Sequence, residues 1–389
     1  MRVRKFRFDR PQQIAALLLV FLAGQCLWVI YHRALSQRDY DFARCGREMW
    51  EKPSPLAGYF TTCGNIHDGS LAYRAAGLPL TLVRIVFGLS RETSTWEMRH
   101  VVSFVPLALS LAFVLAGMGL GGALWWVVRR LYGNDGGYVA LALYCFSPEI
   151  VRACTRPNSE ILAAFGLYAA VYTAMGVAHA MHGPRRKWRP RIVLLTVCLG
   201  FTAAAHVSAV LLAFLLGFGF MLYLAVGRRA YLLPIMLFTA VGTMALLFAS
   251  YGFSADAFSY FFRSAAGRVW FSLDGPRNFF TPVVGAGLSN AGISIAVAAA
   301  LLLYVAVKRS RYFGNTAPLL VSVLLLPLIT TGVVSTPWLW AMPFLLTFLA
   351  GVFADALETR YRTPFLVATG SILATQMALS IASLPLLSR

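Results

Sequence analysis

The sequence is poor in charge, and in negative charge above all. Charged residues make up 13% of the 389 residues, against roughly 25% in soluble globular proteins, while apolar types make up 59%. This composition excludes a disordered chain and an ordinary cytosolic enzyme. The six cysteines are too sparse for a small disulfide-rich scaffold. What remains is a polytopic membrane protein.

Long apolar segments predict about eleven transmembrane helices, because roughly 20 residues are needed to cross the hydrocarbon of a bilayer. They span residues 13–31, 101–128, 137–149, 159–180, 191–205, 207–226, 231–251, 285–307, 315–333, 337–354 and 364–385. The basic start, MRVRKFRFDR, is typical of a signal peptide. Because the apolar run behind it is too long and no cleavage site follows, we expect an uncleaved anchor.

The distribution of Lys and Arg predicts the orientation. With the N-terminus inside, 19 of the 34 basic residues fall on the inner side, and 9 of the 15 outer ones lie in one long loop, 32–100. Without that loop the ratio is 19 to 6, which favours a cytoplasmic N-terminus and an external C-terminus. The net charge of +19 therefore indicates topology and contact with anionic membrane lipids, not nucleic-acid binding.

These segments predict one transmembrane domain over residues 1–389. We expect outer loops at 32–100 and 252–284 and no C-terminal soluble domain. Four of the fifteen carboxylates fall inside, eleven fall outside, and none lies in the middle of a span. Ion-coupled transporters usually carry ionisable groups at bilayer depth. The acids therefore indicate chemistry at the outer membrane surface.

Two amphipathic segments are expected in the first outer loop. The first, QRDYDFARCGREMWEK, predicts a helix whose apolar face lies on the membrane; this face carries Phe42, Cys45 and Met49. The second, SLAYRAAGLPLTLVRIVFGL, contains Arg74 and Arg84. Because spanning would bury both arginines, we expect interfacial helices with snorkelling arginines instead.

The order of these features carries a family resemblance. A first span is followed by an acidic outer loop, the REM of 47–49, an aromatic-rich helix ending in FG, and later SPEIVRACTRPNSEILAAFGLYAA. The chain thereby resembles the GT-C membrane glycosyltransferases, of the protein-mannosyltransferase and aminoarabinose-transferase type. The resemblance implies an all-α polytopic fold in a bacterial plasma membrane. It also implies inverting sugar transfer from a polyprenyl-phosphate donor to a lipid, glycan or protein acceptor at the outer face.

The resemblance implies three catalytic candidates: Asp39, Asp41 and Glu160. The family carries an acidic pair after the first span where this chain has DYD, so the choice between the two aspartates stays open. Such a carboxylate takes the proton of an acceptor hydroxyl as it attacks the sugar. The alternative roles are a helix cap for Asp39 and a first-turn residue for Glu160.

The donor phosphate has several candidate partners. Arg152 and Arg156 lie in one short outer loop, and Arg263, Arg268 and Arg277 compete with them. His206 stands where relatives often have lysine, and a structural histidine is the alternative.

One element of the aminoarabinose-type enzymes, a lysine before two prolines, is replaced here by Asp68-Gly69-Ser70. Either an arginine binds the phosphate, or a divalent cation bridges it to Asp39, Asp41 and Asp68, with His67. No metal-ligand spacing is present, so the sequence predicts no certain cofactor and no defined metal site.

Three further alternatives stay open. A non-catalytic GT-C-like subunit is one, because of the missing lysine and the DYD departure. A lipid-linked sugar flippase is another, although it requires charges inside the bundle. Cys45 and Cys63 either form a disulfide, with Cys154 as a third outer candidate, or remain unpaired.

Overall fold

The structure, a computed structural model, describes residues 9–53, 57–63, 66, 69–268, 285, 287–307, 312–328 and 337–388. These residues form α-helices and two short 3-10 turns, and no strand occurs among them. The helices are α1 (Arg10–His32), α2 (Gln37–Glu51), α3 (Leu71–Val86), α4 (Thr95–Val101), α5 (Val105–Cys145), α6 (Pro148–Thr155), α7 (Ser159–Met181), α8 (Arg185–Ala205), α9 (Val207–Leu224), α10 (Leu232–Ser250), α11 (Ala255–Arg268), α12 (Ala291–Val307), α13 (Tyr312–Leu328), α14 (Pro337–Leu357) and α15 (Arg362–Leu387).

Eight of the described helices are long and apolar enough to cross a membrane. They are α1, α5, α7, α8, α9, α10, α14 and α15. The chain is therefore a multi-pass membrane protein. The number eleven stays a prediction, because α5 merges two expected spans and α12 and α13 have only 17 residues each.

Helix α5 is a hairpin rather than one straight rod. Gly133 breaks it with a φ of 88°, a conformation that glycine adopts without steric cost. Beyond the break the chain returns, and the Tyr144 hydroxyl donates to the Gly117 carbonyl at 2.7 Å. In a straight helix these two residues would lie about 40 Å apart. The two arms match the expected spans at 101–128 and 137–149.

The apolar face of α2 packs on protein, not on the membrane as the sequence suggested. The Phe42 ring stacks on Tyr73 of α3 with the centroids 4.3 Å apart. The two helices cross where the backbones of Gly46 and Gly77 touch, since a Cβ on either would collide with the other chain segment. The expectation that this face lies on the membrane was wrong, because α3 covers it.

The arginines of α3 are buried as well. Arg74 is 4% exposed, and its Nε and Nη2 donate to the Ser250 and Tyr59 carbonyls at 2.6 and 2.8 Å. Arg84 is 6% exposed, with its Nε 3.1 Å from Glu51 Oε1. The expectation of snorkelling was therefore wrong, because both guanidinium groups are buried among protein carbonyls and the Glu51 carboxylate. Helix α3, with 16 residues, is not among the helices long enough to span.

A disulfide ties α2 to the chain that follows the first 3-10 turn. It joins Cys45 and Cys63, which are 18 residues apart. Cys154 is a free and buried thiol. Of the two alternatives that the sequence left open, Cys45 and Cys63 therefore form the disulfide.

Candidate functional site at one end of the helical bundle

Arg33 connects the ends of three helices. It follows α1, and its Nη1 donates to Asp39 Oδ2, near the start of α2, at 2.7 Å. Its Nη2 donates to the carbonyl of Thr155, the last residue of α6, at 3.0 Å. Arg33 and Asp39 are each only 3% exposed. A buried ion pair therefore lies at the centre of this end of the bundle.

Asp39 is engaged mainly through one of its two carboxylate oxygens. Ser36 is the N-cap of α2, and Asp39 is the third residue of the helix, so that together they form a capping box. The Ser36 backbone N–H and hydroxyl donate to Oδ2 at 2.7 and 2.8 Å, in addition to Arg33. Within the described part of the chain, Oδ1 accepts only from Arg33 Nη2, at 3.5 Å. Oδ1 is thus the oxygen with capacity left for another partner.

Asp41 faces away from this ion pair. It is exposed, and it lines a cavity of about 980 Å³ between α2 and residues 91–96. Tyr40, Arg44 and Trp96 line the same cavity. Residues two apart on a helix point to nearly opposite sides. The two catalytic candidates therefore lie on different sides of α2. Of the two, Asp39 belongs to the cluster around Arg33, and Asp41 does not.

Two arginines of α6 extend the positive charge around Asp39. Arg156, at the C-cap of α6, is half-buried, and Arg152 is exposed. Burial lowers the pKa of Arg156, the charges of Arg33 and Arg152 lower it further, and Asp39 opposes them. Three guanidinium groups therefore share this end of the bundle, where an anionic group would be stabilised.

Two glutamates border the cluster. Glu160 is in the first turn of α7, half-buried, and its backbone carbonyl accepts from Trp340 Nε1 at 3.3 Å. Glu149, in the first turn of α6, is 7% exposed and accepts from the Ser289 hydroxyl at 3.4 Å. Burial raises the pKa of Glu149, Arg152 and Ser289 oppose this, and the charge of Glu160 adds to it.

His206 has a structural role in the turn between α8 and α9. It is the N-cap of α9, and its Nδ1 accepts from the Ser208 backbone N–H at 3.3 Å. The ring is 5% exposed and meets Trp340 edge-on, with centroids 5.2 Å apart. Because Trp340 also binds the start of α7, His206 lies at the same end of the bundle as Glu160.

Several candidates fall outside the described residues. His67, Asp68 and Arg277 do, and the side chain of Arg268, at the end of α11, does as well. Within the described part of the chain, no three His, Cys, Asp or Glu side chains are placed to hold a metal ion. Arg33 and Glu149 were missed from the sequence, because only tertiary burial distinguishes them from ordinary residues at helix ends.

Comparison with known proteins gives a fold and no close relative. No family model and no curated protein matches the chain. ArnT from Cupriavidus metallidurans in the apo state matches with a TM-score of 0.59 and 14% identity, over 96% of this chain and 74% of that one. The same protein bound to undecaprenyl phosphate matches with a TM-score of 0.60 and 14% identity, over 97% of this chain and 73% of that one.

A third structure is more distant. The Archaeoglobus fulgidus oligosaccharyltransferase, in complex with Zn and sulfate, matches with a TM-score of 0.51 and 12% identity, over 94% of this chain and 53% of that one. These three likenesses cover between 94% and 97% of this chain. The protein thus has the all-helical, GT-C-like membrane fold of ArnT.

Proposed function

We propose that the protein is a membrane glycosyltransferase that moves a sugar from a polyprenyl-phosphate-linked donor to an acceptor. The observation that carries the proposal is Asp39 Oδ1, a carboxylate oxygen with unused acceptor capacity, beside Arg33 and Arg156 in a GT-C-like bundle. The ArnT structure bound to undecaprenyl phosphate supports the class of donor.

The proposed reaction is a direct displacement. Asp39 Oδ1 takes the proton of the acceptor hydroxyl while that oxygen bonds to the anomeric carbon. The bond from this carbon to the phosphate oxygen breaks on the opposite face, and the electron pair leaves with the phosphate. Arg152 and Arg156 stabilise the leaving anion, and Glu160 holds the acceptor. Attack opposite to the leaving group inverts the anomeric configuration.

We place this site at the outer face of a bacterial plasma membrane, with the N-terminus in the cytoplasm. The Cys45–Cys63 disulfide supports the placement, because such bonds persist in oxidising compartments. The excess of basic residues on the opposite side supports it independently.

Asp41 is the alternative base. Its cavity of about 980 Å³ is wide enough for a sugar headgroup. Tyr40 and Trp96 in that cavity offer rings to a sugar face. Were the reaction to occur there, Asp39 would be a purely structural residue.

A non-catalytic GT-C-like subunit is the second candidate, and one observation favours it. Asp39 Oδ2 already satisfies a capping box and a buried guanidinium, which together account for this residue without any reaction. A flippase would require charged groups inside the bundle. The described spanning helices carry their acids near helix ends or at the α5 turn, so no contact among the described residues favours a flippase over an enzyme or a non-catalytic subunit.

The test is transfer or hydrolysis of a panel of polyprenyl-phosphate sugars by the purified protein, with and without EDTA. We expect Asp39→Asn to lower turnover by about 100-fold or more, and Glu160→Gln by less. Asp256→Asn, an exposed acid of α11, is the matched control and should retain activity.

Each other result has a defined meaning. Loss in Asp41→Asn alone would move the base to the cavity beside α4. Sugar released or transferred with its anomeric configuration retained would contradict direct displacement. No turnover with any donor would favour the non-catalytic subunit.

A further inference from the structure

A second cavity lies at the end of the bundle opposite Asp39. It encloses about 540 Å³ between α5, α7, α8 and α13. Its position follows from α7, because the first turn of α7 borders the Asp39 cluster while the cavity runs from Tyr168 to His179 near the end of that helix. Nothing in the proposed transfer reaction uses it.

Three basic side chains line the mouth of this cavity: Arg130, His179 and Arg191. Arg191 Nη1 donates to the Gly176 carbonyl at 2.6 Å, which fixes the guanidinium at the opening. The Arg130 guanidinium lies 5.9 Å from the centre of the Trp126 ring. Among the described residues, no carboxylate lines the cavity beside these basic groups.

The body of the cavity is deep and apolar. From His179 to Tyr168, eleven residues of α7 at 1.5 Å each give a depth of about 16 Å. The lining below the basic mouth is mainly apolar and aromatic, with Ala123, Val127 and Met175 among it. A free phosphate ion would occupy the mouth alone and leave this depth without a partner.

The rim of the cavity is apolar and exposed. Trp126, Leu131 and Leu194 line it and are 55%, 43% and 52% exposed on helices long enough to span. A ligand can therefore enter sideways from the membrane. A basic mouth, an apolar body and a lateral opening match the shape and charge of a lipid with an anionic headgroup.

We propose that this cavity binds an anionic glycerophospholipid. The headgroup phosphate accepts hydrogen bonds from Arg130 and Arg191, and one acyl chain runs along α7 toward Tyr168. The lipid then joins α5, α7, α8 and α13 at the end of the bundle remote from Asp39. This site is independent of the proposed sugar transfer.

The test is native mass spectrometry of the full chain, purified in detergent and offered equal amounts of phosphatidylglycerol and phosphatidylcholine. We expect phosphatidylglycerol to be retained about tenfold over phosphatidylcholine, and the double variant Arg130→Gln/Arg191→Gln to lose the preference. The control Arg229→Gln/Arg360→Gln removes the same charge from exposed residues outside the cavity and should keep the preference.

A second variant tests the apolar body. Ala123→Phe places a ring in the cavity and should lower phosphatidylglycerol retention while leaving the basic mouth intact. Equal retention of both lipids, or equal loss in the control, would overturn the proposal. Displacement by inorganic phosphate would make this a free-anion site, and displacement by polyprenyl phosphate at low ratio would assign it to the donor; either result contradicts the proposal.

Discussion

At the scale of single residues, the pair of Arg33 and Asp39 combines a structural role with the proposed chemistry. Removing one partner leaves the other charge buried, so Asp39→Asn or Arg33→Gln should each destabilise the protein by about 3 to 5 kcal/mol. The double variant should cost less than the sum, because neither charge remains. Thermal unfolding in detergent measures this.

The exposed pair of Glu48 and Lys52 is the control for this cycle. Removing it with Glu48→Gln should change stability by less than about 1 kcal/mol. The double variant Arg33→Gln/Asp39→Asn also distinguishes an effect on folding from an effect on catalysis. If it regains stability but not turnover, Asp39 acts in the reaction; if both return together, Asp39 is structural.

Glu149 predicts a pH dependence of stability. Because burial raises its pKa in the folded protein, its contribution is fully present below the unfolded pKa and is lost as the pH rises through the folded value. The stability of the folded protein should therefore decrease as the pH rises above the range in which glutamate ordinarily titrates. The variant Glu149→Gln should remove part of this decrease. Melting temperatures between about pH 4 and about pH 8 measure it. An identical slope in both proteins would contradict the assignment.

At the scale of elements, the crossing of α2 and α3 depends on two glycines. A side chain at Gly46 or Gly77 would meet backbone, which cannot move aside as a flexible side chain can. Gly77→Val should therefore cost more than the roughly 1 to 3 kcal/mol of ordinary overpacking and abolish monodisperse protein in size-exclusion chromatography. Gly24→Val, on α1 with nothing within 4 Å, is the control. Equal yields of both would show that the helices separate at little cost.

The buried arginines of α3 illustrate what pattern alone misses in an element. From the sequence, two arginines in an apolar stretch indicated snorkelling to the membrane surface. In the structure, carbonyl oxygens from distant segments reach Arg74, including that of Ser250, 176 residues away. Sequence spacing carries no information on such partners.

At the scale of the whole molecule, the proposed orientation predicts which positions can be labelled from outside the cell. We expect a membrane-impermeant maleimide to label a cysteine introduced by Glu92→Cys, and not one introduced by Arg186→Cys, in cells with a permeabilised outer membrane. Both positions are exposed. Since disulfides persist in oxidising compartments, Cys45 and Cys63 should resist alkylation in the wild-type chain until reduced. Reversed labelling would invert the topology.

The sequence by itself determined the membrane character, the all-helical class and the two amphipathic helices of the first long loop, whereas the GT-C-like fold was expected from a family resemblance. Apolar runs and helical periodicity are local, and the bilayer acts on each segment according to its own composition. The hairpin at Gly133 was predicted only as two spans, because no composition reveals how tightly the chain turns.

Only the tertiary structure distinguished the surroundings of the two candidate aspartates. Asp39 and Asp41 are equivalent in the sequence, yet one is buried against Arg33 and the other is exposed in a separate cavity. Arg33 in turn binds Thr155, which is 122 residues away. The strength of an ion pair or hydrogen bond depends on distance and burial, and these are set by packing between segments far apart in the chain.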